Sequence, residues 1–67
     1  MKLIRIKQVR ELTGISRTYI YSMVKQGTFP APVSLSRKSK AWISEEVIDW
    51  IQTKIDARDK SNEQESA

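Results

Sequence analysis

The chain has 67 residues, with twelve Lys and Arg against eight Asp and Glu, and it contains neither His nor Cys. That length allows one domain at most and no large enclosed pocket. The missing residue types remove the commonest general base, the thiol nucleophile, any disulfide and nearly all zinc chemistry, so no enzyme and no cofactor or metal is expected.

The formal charge of +4 is unevenly spread. Residues 1–43 carry nine Lys and Arg against one acid, Glu11, a net of +8, whereas residues 44–67 carry three against seven, a net of −4. A basic front of this kind attracts a polyanion, and nucleic acid is the commonest. No apolar run approaches the ~20 residues of a membrane span, and charges break up the apolar residues of Met1–Lys7, unlike a signal peptide. The expected compartment is the cytoplasm, with no membrane partner.

In chain order, Leu3, Ile4 and Ile6 stand among Lys2, Arg5 and Lys7, the pattern of a short strand or an extended lead-in. Val9 and Leu12, three apart, predict a short helix from Lys7 to Thr13. Gly14 follows where a left-handed residue ends a helix. Ser16 is an N-cap for a second helix, Arg17 to Gln26, whose Ile20, Met23 and Val24 point inward and which Gly27 ends. Two short helices joined by Thr13-Gly14-Ile15-Ser16 have the spacing of a helix-turn-helix, with Val9, Leu12, Ile15, Ile20 and Met23 locking the pair. Arg10 stands four before the turn glycine, where many such motifs use a small residue; either the crossing is looser or Arg10 leans outward.

Thr28-Phe29-Pro30-Ala31-Pro32 is driven toward extended geometry by its prolines. Val33–Ser36 alternates apolar and polar like a half-buried strand, Arg37-Lys38-Ser39 is a turn, and Lys40–Ile43 is the returning strand. The product is a two-stranded hairpin with a basic tip over residues 36–41, a wing. Ser44 is the next N-cap, and Glu45 and Glu46 suit the positive end of a helix dipole. Val47, Ile48, Ile51 and Ile55 form one apolar stripe with Trp50 at its edge, and this helix is expected to end near Arg58. Residues 59–67 offer nothing to bury beyond the terminal Ala, so they are expected to be a disordered polar tail after a domain of residues 1–58.

The second helix is the candidate recognition helix. Its outward residues are taken to be Arg17, Thr18, Tyr21, Ser22 and Lys25, with Ser16 at its start. Arg17 in the first turn can take guanine O6 and N7 through two parallel hydrogen bonds. Thr18 can meet a phosphate or a thymine methyl, and Tyr21 and Lys25 lie where phosphates are reached. Arg37, Lys38 and Lys40 make the wing tip suited to phosphates or a minor groove. The bland alternatives are a solvated helix face and an edge hairpin guarded by lysines; the wing following the helix-turn-helix weighs against them. Phe29, Trp42 and Trp50 are read as core rather than base-stacking platforms, with Trp42 between the hairpin and the last helix. Ser16 and Ser44 are caps rather than nucleophiles.

The run Leu12-Thr13-Gly14-Ile15-Ser16-Arg17-Thr18-Tyr19-Ile20-Tyr21, then Gly27-Thr28-Phe29-Pro30-Ala31-Pro32-Val33, then Trp42, Glu46-Val47 and Trp50, resembles the AlpA family of prophage regulatory proteins. The resemblance covers about residues 3–56. It implies an α+β winged helix-turn-helix of MerR type, a phage or prophage origin, and a role in activating integrase expression or assisting excision. It also implies that Ser16, Arg17, Thr18 and Tyr21 fall on the recognition helix and Arg37, Lys38 and Lys40 on the wing. Family members often carry Gly at the wing tip, where this chain has Ser36-Arg37-Lys38-Ser39, so the turn type stays open.

The expected fold is thus a small winged helix-turn-helix of three helices and a two-stranded wing. The expected function is sequence-specific binding of double-stranded DNA by a transcriptional regulator, as a monomer or a weakly cooperative oligomer. The alternatives are an excisionase-type architectural factor with a recombinase or integrase as second partner, and a small phage protein-interaction module.

Overall fold

The computed structural model describes the backbone of residues 1–66 and the side chains through Lys60. Its elements are β1 (Leu3–Ile4), α1 (Ile6–Thr13), α2 (Arg17–Gln26), β2 (Val33–Ser34), β3 (Lys40–Ile43) and α3 (Ser44–Ser66).

Both glycines end helices as the spacing predicts. Gly14 has φ +71° and donates its N–H to the Arg10 carbonyl at 2.8 Å; Gly27 has φ +80° and donates to Val24 at 3.1 Å. A side chain in this left-handed region is disfavoured, so glycine fits both positions. Thr13 tightens the first turn: its hydroxyl donates to the Val9 carbonyl at 2.8 Å and accepts the Ile15 N–H at 3.2 Å. Ser16 then accepts the Tyr19 N–H at 3.3 Å, a cap for α2.

The expected hairpin forms from β2 and β3, and the lead-in, left open between a short strand and extended chain, joins it as a third strand: the sheet is antiparallel in the order β1-β3-β2. Leu3 and Ile4 pair with Ile43 and Trp42, while Val33 and Ser34 pair with Ala41 and Lys40. A two-stranded ribbon is marginal in water; the lead-in gives β3 a partner on each side and sends Ile4 into the core. β2 is shorter than the Val33–Ser36 expected, because Leu35 and Ser36 turn their N–H groups onto the Ser39 carbonyl at 2.8 and 3.2 Å. Ser39 returns its N–H to the Ser36 carbonyl at 3.3 Å, and among the described residues no non-glycine residue has positive φ. The wing tip therefore closes in a turn of type I character, which needs no glycine.

The core is Ile4, Val9, Ile20, Met23, Phe29, Trp42 and Val47, with Ile15, Val24, Trp50 and Ile51 packed against it. Two indoles pin the proline loop that leaves α2. Trp42 Nε1–H donates to the Pro30 carbonyl at 2.8 Å, and Trp50 Nε1–H donates to Thr28 at 2.7 Å. The Phe29 ring meets Trp50 edge-on, with centroids 4.8 Å apart. Of the aromatics expected to be core, Phe29 and Trp42 are buried, Trp42 fully, while Trp50 is half-buried against them.

Two residues assigned inward lie outside. Leu12 is 51% exposed and Ile48 54%. Ile48 stands about 100° round the helix from Val47, and Val47 takes the single buried position there. Leu12 and Ile48 line one surface depression with Lys2, Gln8 and Ser44. Arg10 is exposed, so it leans outward from the crossing.

α3 also departs from expectation. The apolar stripe fades after Ile55, yet the backbone stays helical to Ser66 rather than ending near Arg58. All glycines and prolines of the chain precede Ser44, and Lys, Glu and Gln favour helix without burial. Ala67 lies outside the described residues. Ser44 is the first residue of α3, and its hydroxyl donates to the Glu45 carboxylate at 2.8 Å, where a cap would accept a backbone N–H. No helix among the described residues is long and apolar enough to cross a membrane. The architecture is an α+β winged helix-turn-helix of three helices and a three-stranded sheet.

Candidate nucleic-acid interface

With Ser16 capping α2, Arg17 and Thr18 stand exposed in its first turn. The Arg17 guanidinium lies 5.7 Å from the Tyr21 ring centroid, one turn further on. The Tyr21 ring in turn lies 5.8 Å from Trp42, tilted by 57°. The three side chains form a ladder from solvent to core. Cation–π contact at an exposed site contributes about 0.5–1 kcal/mol and limits the orientations open to the guanidinium.

Tyr21 is therefore not the free outward residue that helical spacing assigned. It is half-buried against the core, because burying its ring on Trp42 outweighs the polarity of its hydroxyl. Ser22 is also half-buried, and its hydroxyl accepts from the Gln26 amide at 3.4 Å. Lys25 is exposed in the last turn of α2. The Ser16 hydroxyl is committed to its cap.

Between α2 and the wing lies an open cleft of about 380 Å³. Arg17 and Tyr21 line it from α2, Arg37, Lys38 and Lys40 from the wing, and Arg5 with Ile6 from the start of α1. Five cations and no acid share it. The ion pairs of the described residues lie elsewhere: the Met1 ammonium with Glu45 at 3.2 Å, and Arg58 with Asp59 at 2.9 Å. Two like unit charges about 8 Å apart in water repel by about 0.5 kcal/mol, so uncompensated cations work against the fold and favour a polyanionic ligand. Among the described residues no three His, Cys, Asp or Glu side chains gather where a metal could sit.

The cleft thus unites Arg17 and Tyr21 with all three wing cations. Thr18, Ser22 and Lys25 do not line it, and Ser16 borders a separate depression with Lys7, Arg10 and Glu11. Arg5, which the sequence presents only as a charge of the basic front and of the extended lead-in, joins the cleft as well. Arg5 occupies the N-cap position of α1, where Ser, Thr, Asp or Asn is favoured, and makes no side-chain capping bond.

Away from the cleft, Glu45 ties the chain start to α3. Its carboxylate accepts from the Ser44 hydroxyl and the Lys2 N–H and pairs with the Met1 ammonium. These contacts, the Ser44 bond foremost and then its own backbone N–H, lower its pKa from 4.5 to about 2.

Fold and cleft place the chain among small winged helix-turn-helix proteins. Residues 2–55, most of its length, match the family described as Prophage CP4-57 regulatory protein (AlpA), and the chain belongs to that family. A protein of Enterobacteria phage P4 described as "Uncharacterized protein ORF88" is 39% identical over 57 residues. That alignment covers 85% of this chain and 65% of the phage protein, so the chain spans under two thirds of its relative's length. The family is one of prophage regulators.

Proposed function

We propose that the chain binds double-stranded DNA in a sequence-specific way and regulates transcription from phage or prophage DNA in the cytoplasm. In this reading α2 enters the major groove and the wing lies on the adjacent backbone. The observation that carries it is the cleft, where cations of the recognition helix and the wing converge with no acid among them. Arg17, steadied on Tyr21, reads a base edge, guanine above all. Thr18 meets a thymine methyl or a phosphate, and Lys25 a phosphate. Arg37, Lys38 and Lys40 hold phosphates or enter the minor groove, which fixes register without reading sequence. Ser16 contributes by capping α2, and Ser22 stands half-buried on the same helix. One recognition helix and one wing per chain let monomers bind singly or cooperatively along repeated sites.

The test is genome-wide mapping of the DNA that this protein occupies in its host. Sites clustered beside an integrase promoter support the regulator. Sites at an attachment end favour instead the excision factor, an architectural role with a recombinase as partner that the same surface serves. Occupancy at no specific site would leave the protein-interaction module.

A further inference from the structure

We propose that Arg5 is a DNA-backbone contact, so that the cleft between α2 and the wing seats the sugar-phosphate strand bordering the groove that α2 enters. The inference rests on the DNA-binding reading above and extends its contact surface to the β1–α1 junction. Arg5 is exposed, with extended backbone (φ −92°, ψ 169°) and no capping bond from its side chain. Nothing local calls for an arginine there. A cap favours a small polar residue, and a cation at a helix N-terminus opposes the helix dipole.

The fold supplies the reason that the local structure lacks. β1 pairs with β3, the same strand that carries the root of the wing, so residue 5 is held beside the wing. The cleft then has cations on three sides: Arg5, Arg17, and the wing group of Arg37, Lys38 and Lys40. A strand edging a major groove occupied by α2 passes between that helix and the wing, and this is where the cleft lies. Guanidinium groups match phosphate oxygens in pairs, which suits Arg5 to a phosphodiester. The cleft is open at the surface rather than closed, as a continuous chain passing through it requires.

The experiment titrates the full chain into a labelled mixed-sequence duplex, read by fluorescence anisotropy at several salt concentrations. A mixed sequence suffices because a phosphate contact carries no sequence information. Arg5→Gln is expected to weaken binding about 3- to 10-fold at low salt and to shrink the slope of log K against log salt by about 0.9. Arg5→Lys retains the slope. Lys60→Gln, outside the cleft, retains both slope and affinity. In the unaltered chain the Arg5 and Ile6 amide resonances shift when duplex is added, a readout independent of any variant's folding. Arg5→Gln with unchanged affinity and slope, or unmoved amides on saturation, overturns the inference and leaves the DNA-binding reading standing. A flat salt response of the unaltered chain overturns both. Displacement of the duplex by micromolar mononucleotide at constant ionic strength would reassign the cleft to a small phosphate ligand.

Discussion

Trp42 shows how much of the architecture one side chain holds. It lies on the central strand, is fully buried, gives its N–H to the proline loop and carries the Tyr21 ring on which Arg17 rests. Truncating a core Trp typically costs about 3–5 kcal/mol, and a domain this small holds little more than that in total. Trp42→Ala is therefore expected to be largely unfolded at room temperature by circular dichroism, with or without DNA. A folded variant with unchanged melting temperature and lost DNA binding would instead mark Trp42 as a surface contact. Arg17 and Lys38 separate specificity from affinity. Arg17→Ala should cost about 1–3 kcal/mol on the true site and much less on random duplex, while Lys38→Ala should weaken both alike. Equal losses for Arg17→Ala would move that residue to the backbone class. Glu45 gives a pH signature. Its folded pKa is depressed from 4.5 to about 2, so its contribution to stability is present above pH 4.5 and fades as pH falls toward 2. Melting curves of Glu45→Gln should lack that part of the acid loss; an identical pH profile would show that the Glu45 contacts do not persist in solution.

Elements with local punctuation were legible, and those that depend on remote partners were not. α2 was bounded correctly at both ends because Ser16 and Gly27 mark them chemically, and β3 was found whole from its strand pattern. β1 was ambiguous because two residues become a strand only through pairing with β3, some forty positions away. The same remoteness hid Arg5, whereas Arg17 and the wing cations announced themselves by charge within recognisable elements. The ring of Tyr21 was turned inward by Trp42, a contact that helical spacing does not encode. Leu12 and Ile48 were read inward because an apolar stripe shows which face can be buried, not how much of it a small core covers. α3 outruns the expected end near Arg58, because loss of the apolar stripe is not loss of the helix: helix propensity persists without burial. Removing residues 59–67 tests where the domain ends. Melting temperature and duplex affinity should stay unchanged, within about 0.5 kcal/mol; a large drop in either would extend the domain into the tail.

At the scale of the whole molecule, charge is divided between two regions. Residues 1–43, which carry the helix-turn-helix and wing, hold nine of the twelve cations, and seven of the eight acids lie on α3. That separation does not stabilise the monomer, since the cleft cations have no acid among them. A charge distribution of this kind favours approach of a polyanion to the basic region over approach to α3. The central claim, that this basic face binds duplex DNA through its phosphates, is tested most directly by the salt dependence of duplex binding. With about five phosphates neutralised, log K should fall against log salt with a slope of about −4 to −5. A flat response would contradict the account.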